Sequence, residues 1–383
     1  MQYTSHAPTH HTRDIAESVL AFVRKNVVLC IAILAATITS LIVPPDAAYL
    51  DYFDFKTLTC LFCVLAVVCA LKNINFFYYL ACQIVKRFKN IRYSVLALVY
   101  ITFIGSMLIA NDMALLTFLP LGFFVLASTG NEKYMAFTFI MQNIAANLGG
   151  MLTPFGNPQN LYLYSRFNIP TGEFMSIMLI PFLISVILIT LCCFVFVKSE
   201  ALVLKNEEKT PDRNKTILCG LLFALSIAIV FRGIPYWIGL IVIPPVLLLA
   251  DRKALKMVDY PLLLTFVAFF IFSGNVSRIP QVRGLFELLM SKSTLLFSVL
   301  SCQFISNVPS AILLSNFTEN YPALLVGVNI GGAGTLIASL ASLITFKEYC
   351  HHNSGKAGAY ILKFSAFNFA FLGILTIIML FIV

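Results

Sequence analysis

From Val27 onward the chain returns repeatedly to apolar runs of about twenty residues, and two of these segments are broken near their centres by polar residues. IANDMALLTF occupies 109–118 and ISNVPSAILL occupies 305–314. Runs of this length cross a bilayer as helices, because hydrocarbon offers a backbone N–H or C=O no partner outside the helix. An interruption there costs about several kcal/mol for each group it frees. With 60% hydrophobic and 11% charged residues, the chain has too little polar surface for a soluble domain of its length. The expected fold class is an all-α polytopic membrane protein.

Spans are expected near 27–43, 55–71, 134–166, 174–197, 216–231, 236–250, 260–276, 321–346 and 359–382. Pro44-Pro45, and no small-residue cleavage site, follows the first run, so it reads as a span and not as a removed signal peptide. Lys72, Lys86, Arg87, Lys89 and Arg92 precede the first broken segment. Lys198, Lys205, Lys209, Arg213 and Lys215 fill 198–215, Arg252, Lys253 and Lys256 follow the sixth span, and Lys347 and Lys356 precede the last. The 44–54 loop has three Asp and no base. Basic loops favour the cytoplasmic side. They share a side only if 93–128 and 293–318 leave the membrane where they entered it, as re-entrant hairpins. That gives nine crossings, a cytoplasmic N-terminus and an external C-terminus. Arg278, Arg283 and Lys292 run against the bias. Length and lack of extensions suggest a bacterial inner (plasma) membrane.

The motifs recur in order, as an internal repeat does. IVPP (42–45), DFKTLTCLF (54–62), IANDMALL (109–116) and NLGGMLTPFGNPQN (147–160) are followed by VIPP (242–245), DYPLLLTFV (259–267), ISNVPSAI (305–312) and NIGGAGTLIASL (329–340). The first copy begins on the cytoplasmic side and the second on the external side, so the repeats are inverted in topology, the architecture of secondary transporters. The expected organisation is a cytoplasmic tail over 1–26 and repeat 1 over 27–197, with hairpin 93–128 and broken helix 134–166. A cytoplasmic loop and linking helix over 198–235 then leads to repeat 2 over 236–383, with hairpin 293–318 and broken helix 321–346.

The breaks carry the chemistry. Gly149-Gly150 is expected to end a half-helix in the left-handed conformation that glycine tolerates. Asn157-Pro158 starts the next, with Asn as N-cap and Pro at the first helical position. Asn329 to Thr335 repeats the scheme. Carbonyls and helix C-termini aimed at one spot suit a small cation such as sodium, for which Asn111, Asp112, Asn147, Gly150, Gly156, Asn307, Asn329 and Gly332 are the candidate residues. The hairpin tips do the opposite. Each opens a returning helix with a partial positive charge and unpaired N–H groups. Asn111 and Asn307 cap these helices, and two tips meeting at the midplane from opposite sides form an anion site. Asn111, Asp112, Asn157, Ser306, Asn307 and Thr335 are its candidate residues. Asp112 is the one carboxylate placed deep in an apolar segment, a sodium ligand or proton carrier by default. The bland reading is that small and polar residues here serve only helix packing, with Asp112 a simple N-cap. Four breaks in two matched pairs favour a shared site. Cys60-x-x-Cys63 lies in an apolar run, where thiols act as small hydrophobes. All five His (His6, His10, His11, His351 and His352) fall in tails or loops, so no intramembrane His site is expected.

IANDMALLTFLPL, NLGGMLTPFGNPQNLYLYS, FISNVPSAILL and VNIGGAGTLIASLASLI resemble the ion transporter superfamily, which includes divalent-anion/sodium symporters, citrate–metal transporters, arsenite permeases and a family of sodium–proton antiporters. The resemblance runs from about residue 27 to the end and is nearest to short anion-permease members. It implies inverted repeats, two re-entrant hairpins, a homodimer and elevator-type movement, with sodium loops at 147–160 and 329–335. The dicarboxylate symporters carry Ser-Asn-Thr at both tips. Ala110-Asn111-Asp112 and Ser306-Asn307-Val308 keep both Asn and lack both Thr, which argues against a di- or tricarboxylate substrate.

The leading expectation is a secondary transporter of a small anion, a carboxylate or inorganic oxyanion, coupled to sodium or protons. The alternatives are a sodium–proton antiporter using Asp112 and an arsenite-type efflux permease. No organic cofactor and no nucleic acid is expected. An intramembrane enzyme is disfavoured by the lack of paired acids, embedded His and His-Glu-x-x-His.

Overall fold

The computed structural model describes residues 22–23, 26–201, 211–353 and 355–383. Most of the expected 1–26 tail, with His6, His10 and His11, lies outside the described residues, as do Lys205 and Lys209 of the 198–215 loop.

Among the described residues the regular structure is helical, apart from one isolated bridge between Asn90 and Ala201. Helix α1 (Val27–Ile42) ends before Pro44-Pro45. Asp54 caps α2 (Phe55–Asn73), accepting from the Thr57 N–H (2.9 Å) and hydroxyl (2.6 Å), and Lys72 complements the dipole at its far end. Then come α3 (Phe76–Val85), α4 (Ile91–Ile109), α5 (Asn111–Ser128), α6 (Met135–Gly149), α7 (Pro158–Arg166) and α8 (Thr171–Phe196). The second half holds α9 (Arg213–Val230), α10 (Tyr236–Ala250), α11 (Arg252–Met257), α12 (Tyr260–Ser277) and α13 (Pro280–Lys292). It closes with α14 (Thr294–Ile305), α15 (Asn307–Leu314), α16 (Tyr321–Ile330), α17 (Leu340–His352) and α18 (Ala357–Met379). Asp212, Asp259, Ser293, Asn320 and Ser339 cap α9, α12, α14, α16 and α17 with their side chains. Seven of these helices, α2, α4, α5, α8, α9, α12 and α18, are long and apolar enough to cross a membrane. The chain is an all-α, multi-pass integral membrane protein.

Three segments read as loops from the sequence are helical: α3, α11 and α13. Each is short, and α13 is two-sided, with Phe286 stacked on Phe317 at 4.8 Å while Leu285 and Leu288 are exposed. Such helices are too short to register as spans.

Contacts between loops sort the helix ends into two faces. On the basic face, Asn90 donates to the Ser199 hydroxyl (2.7 Å), Arg92 to the Val197 carbonyl (2.7 Å), and Lys133 pairs with Glu200 (3.1 Å). Residues 90 and 133 flank the α4–α5 pair, so both of its ends lie beside the same 197–201 segment. On the opposite face, Arg166 donates to Asn316, Arg232 to the Tyr164 carbonyl, and Tyr321 to Glu173. Thr294 and Thr318, at the two ends of the α14–α15 pair, meet at 3.3 Å. Two of the three bases that ran against the charge bias are paired with acids there. Arg278 binds Asp46 (2.6 Å) and the Tyr52 hydroxyl, and Arg283 binds Glu287 (2.7 Å). The Arg278 guanidinium holds the Asp46 carboxyl below its ordinary pKa.

The two folded-back pairs differ in length. The arms α4 and α5 have 19 and 18 residues, and α14 and α15 have 12 and 8. At 1.5 Å per residue these are about 28, 27, 18 and 12 Å.

Candidate functional site

The site begins at two backbone kinks. Ala110 (φ 65°, ψ 154°) separates α4 from α5, and Ser306 (φ 74°, ψ 161°) separates α14 from α15. Both lie in a region that only glycine enters freely, at a cost of about 1–3 kcal/mol each. Neither residue is glycine. The kink puts an Asn first in each following helix. The Asn111 amide oxygen accepts from the Asp112 N–H at 2.9 Å, and the Asn307 amide oxygen accepts from the Val308 N–H at 2.9 Å. Each Asn thus satisfies one orphan donor of its helix start. They sit one residue inside their helices, and Ala110 and Ser306 hold the N-cap positions.

The Asn111 amide donates to the Asn147 side-chain oxygen (3.2 Å), near the end of α6. Asn147 donates in turn to the Asn143 carbonyl (3.1 Å), and Asn143 to Asn368 of α18 (3.4 Å). On the other side of the break, Asn157 donates to the Asn147 carbonyl and to the Asn329 side-chain oxygen, both at 3.3 Å. Gln159 donates to the same Asn329 oxygen (3.3 Å), and Asn329 donates to Asn160 (2.6 Å). A Cβ added to Gly332 would lie 3.1 Å from the Asn307 amide nitrogen and 3.6 Å from the Asn147 side-chain oxygen. Asn111, Asn147, Asn157, Asn307, Asn329 and Gly332 are therefore one cluster, drawn from both tips and both breaks. The Asn in it are buried, between 1% and 4% exposed.

The glycines serve closeness and not handedness. Gly149, Gly150 and Gly331 all have right-handed φ, so the expected left-handed caps are absent at these three positions. A Cβ on Gly149 would collide with the Phe103 carbonyl, one on Gly150 would lie 2.5 Å from the Asn157 side-chain oxygen, and one on Gly156 would strike the Gly150 carbonyl. Asn160 closes this loop by donating to the carbonyls of Gly150 (3.1 Å), Met151 and Thr153 (both 3.3 Å). Asn157 does stand as N-cap before Pro158, but its side chain is directed to the cluster and makes no capping bond.

The side chains of Thr335 and Asp112 stand apart from the cluster, and the Ser306 hydroxyl reaches it only at the Asn307 side-chain oxygen (3.4 Å). Thr335 donates its N–H to the Gln303 side-chain oxygen (2.9 Å) and its hydroxyl to the Gln303 carbonyl (3.1 Å), so it is tied to α14. The Ser306 hydroxyl donates to the Ala338 carbonyl (3.2 Å), beside the Asn307 N–H on the same acceptor (3.0 Å). Among the described residues the Asp112 side chain has no hydrogen-bond partner, and its Oδ1 is buried. The Asn157 Oδ1 and Gln159 Oε1 are buried and unpartnered as well. The two orphan amide oxygens at the break, and the Asp112 oxygen at the tip, are acceptors without donors, a chemistry that suits a hard cation or a proton. Sequence reasoning passed over Asn143, Gln159, Asn160, Gln303 and Asn368. Asn143 lies one helical turn before Asn147, a legible signal. Asn368 stands alone in the last span and gave none.

A model of the citrate transporter family matches residues 15–326. An uncharacterized transporter of Methanocaldococcus jannaschii is 34% identical over 77% of this chain and 81% of its own length. The inner membrane protein YbiR of Escherichia coli K12 is 28% identical over 77% of this chain and 80% of its own.

Proposed function

The chain belongs to the citrate transporter family, and on that premise we propose that it is a secondary transporter of a small anion, a carboxylate or inorganic oxyanion, coupled to sodium or protons. One observation carries the reading. Two helix starts, each led by a buried Asn in the same local geometry, meet over a break where the Asn157 and Gln159 amide oxygens lack donors. Helix starts stabilise an anion, and the unpartnered oxygens stabilise a cation beside it. Among the described residues no fixed base joins the cluster, so the co-bound cation or proton supplies the compensating charge. In this reading the hairpins are re-entrant, entering from opposite faces of a plasma membrane with the basic face cytoplasmic. The protein works as a homodimer whose hairpin-bearing part moves as an elevator.

Asp112 supplies the coupling. Its carboxylate repels an incoming anion until a sodium ion or proton neutralises it. Proteoliposomes loaded with a sodium or pH gradient test this against citrate, succinate, sulfate, phosphate and arsenite. Gradient-driven uptake of one of them is expected, with the dependence on the gradient lost in Asp112→Asn. Uptake by Asp112→Asn with full ion and pH dependence sinks this role for Asp112. The buried, unpartnered Asp112 oxygen also favours a second reading, a sodium–proton antiporter in which Asp112 binds the transported ions. Electrogenic sodium–proton exchange with no anion present would decide for it.

A further inference from the structure

A cavity of about 390 Å³ opens on the face opposite the basic one, and it shares no residue with the amide cluster. One wall comes from the 51–54 turn and the end of α12, the other from the last turns of α7 and α15. Asp51 and Asp54 line the first wall and Arg166 the second. Among the described residues neither Asp51 nor Arg166 has an ion-pair partner. Arg166 is held in place nonetheless. It donates to the Asn316 side-chain oxygen (3.3 Å), Asn316 donates to the Ser273 hydroxyl (2.6 Å), and Ser273 donates to the Ile312 carbonyl (2.9 Å). Opposite charges thus face one small-molecule-sized space without satisfying each other.

We propose that this cavity binds a small zwitterion, with its carboxylate on Arg166 and its ammonium on Asp51 and Asp54. The mixed lining decides the class. A simple anion would meet two acids, and a simple cation would meet the guanidinium. A molecule carrying both charges answers both walls, and the serine and tyrosine hydroxyls around them receive its remaining polar groups. The site also has a route to the amide cluster. α7 and α15 both begin there and end at the cavity, over nine and eight residues, about 13 and 12 Å. An occupant joining the two walls restrains the far ends of the helices that carry Asn157 and Asn307.

The test is a thermal-shift titration of the purified full chain with glycine, L-alanine and L-serine, against propionate and propylamine, which each carry one of the two charges. A ligand that binds the folded state raises the melting temperature. At least one amino acid should raise it, and neither half-ligand should. Arg166→Gln and Asp51→Asn, both on exposed side chains, should each weaken the effect about ten-fold or more, and Ser277→Trp should remove it by filling the space. Asn111→Ala should keep it. The proposal falls if no amino acid acts, if propionate or propylamine acts as strongly, if both charge variants respond like the parent, or if folded Asn111→Ala loses the response. The titration reads binding and not flux, so a failure to transport any anion would overturn the preceding reading and leave this one standing.

Discussion

The tips at Ala110 and Ser306 share a backbone conformation to within about ten degrees, yet they are tethered differently. The first reaches by the Asn111 side chain to Asn147, at the close of a half-helix. The second is held by the Asn307 N–H and the Ser306 hydroxyl, both on the Ala338 carbonyl, just before the start of one. Ser306 therefore recovers a hydrogen bond in its strained position, and Ala110, with no polar side-chain atom, recovers none. The aim of the two amides is common to both tips, and the means of holding it is local to each.

The largest effect that could break this comparison lies under the first tip. Gly149→Ala drives a methyl group into the Phe103 backbone carbonyl, whereas Gly332→Ala comes no nearer than 3.1 Å to the movable end of Asn307 and 3.3 Å to the Asn329 carbonyl. Overpacking against backbone costs about 1–3 kcal/mol or more. Gly149→Ala should lose most folded, monodisperse protein in size-exclusion profiles, and Gly332→Ala should retain it. Equal losses would mean that the two breaks are packed alike.

Next come the amides themselves. Asn111→Ala and Asn307→Ala each remove an anchored amide from the cluster, and a buried hydrogen bond left half-made is worth about 1–3 kcal/mol. Initial transport rates in proteoliposomes should fall by roughly 10- to 100-fold for each. Loss in one variant alone would show that a single tip carries the solute. Smaller again is the strain. Ala110→Gly and Ser306→Gly relax the backbone, so Ala110→Gly should stabilise by about 1 kcal/mol or more, and Ser306→Gly by less, because it also gives up the bond to Ala338. Melting curves in detergent check the order.

The least effect concerns the approach to the second hairpin. Arg278 holds the Asp46 carboxyl below its ordinary pKa. The bridge therefore stabilises at neutral pH and is lost as pH falls through that lowered value. A small drop in melting temperature at acid pH, absent in Asp46→Asn, is expected. The entrance of the first hairpin, held by Asn90 and Arg92 on a hydroxyl and a carbonyl, lacks that particular response.

Much of this was legible in residues. Hydropathy runs placed the long helices, and Asn-Asp and Ser-Asn in apolar context located both kinks within a residue. The paired Gly marked the breaks but for the wrong reason, since chain proximity and not left-handed φ demands them. The partners of the amides were not legible. Asn329 binds Asn157, Gln159 and Asn160 across some 170 residues, and Thr335 turns to Gln303. Helix-to-helix register of that kind is decided by packing, which spacing along one chain does not encode.

The unequal hairpin arms have an electrical consequence. In the proposed re-entrant reading, arms averaging about 28 Å join the cluster to the basic, cytoplasmic face and arms averaging about 15 Å join it to the opposite one, so a positive ion reaching it from the opposite face would traverse roughly one third of the distance across. At about 2.3 kcal/mol per charge per 100 mV, membrane voltage would add about 0.8 kcal/mol per 100 mV to that binding step and about 1.5 kcal/mol per 100 mV to release on the other side. Occupancy from outside would then be only weakly voltage-dependent, and the steeper response would fall on discharge toward the interior.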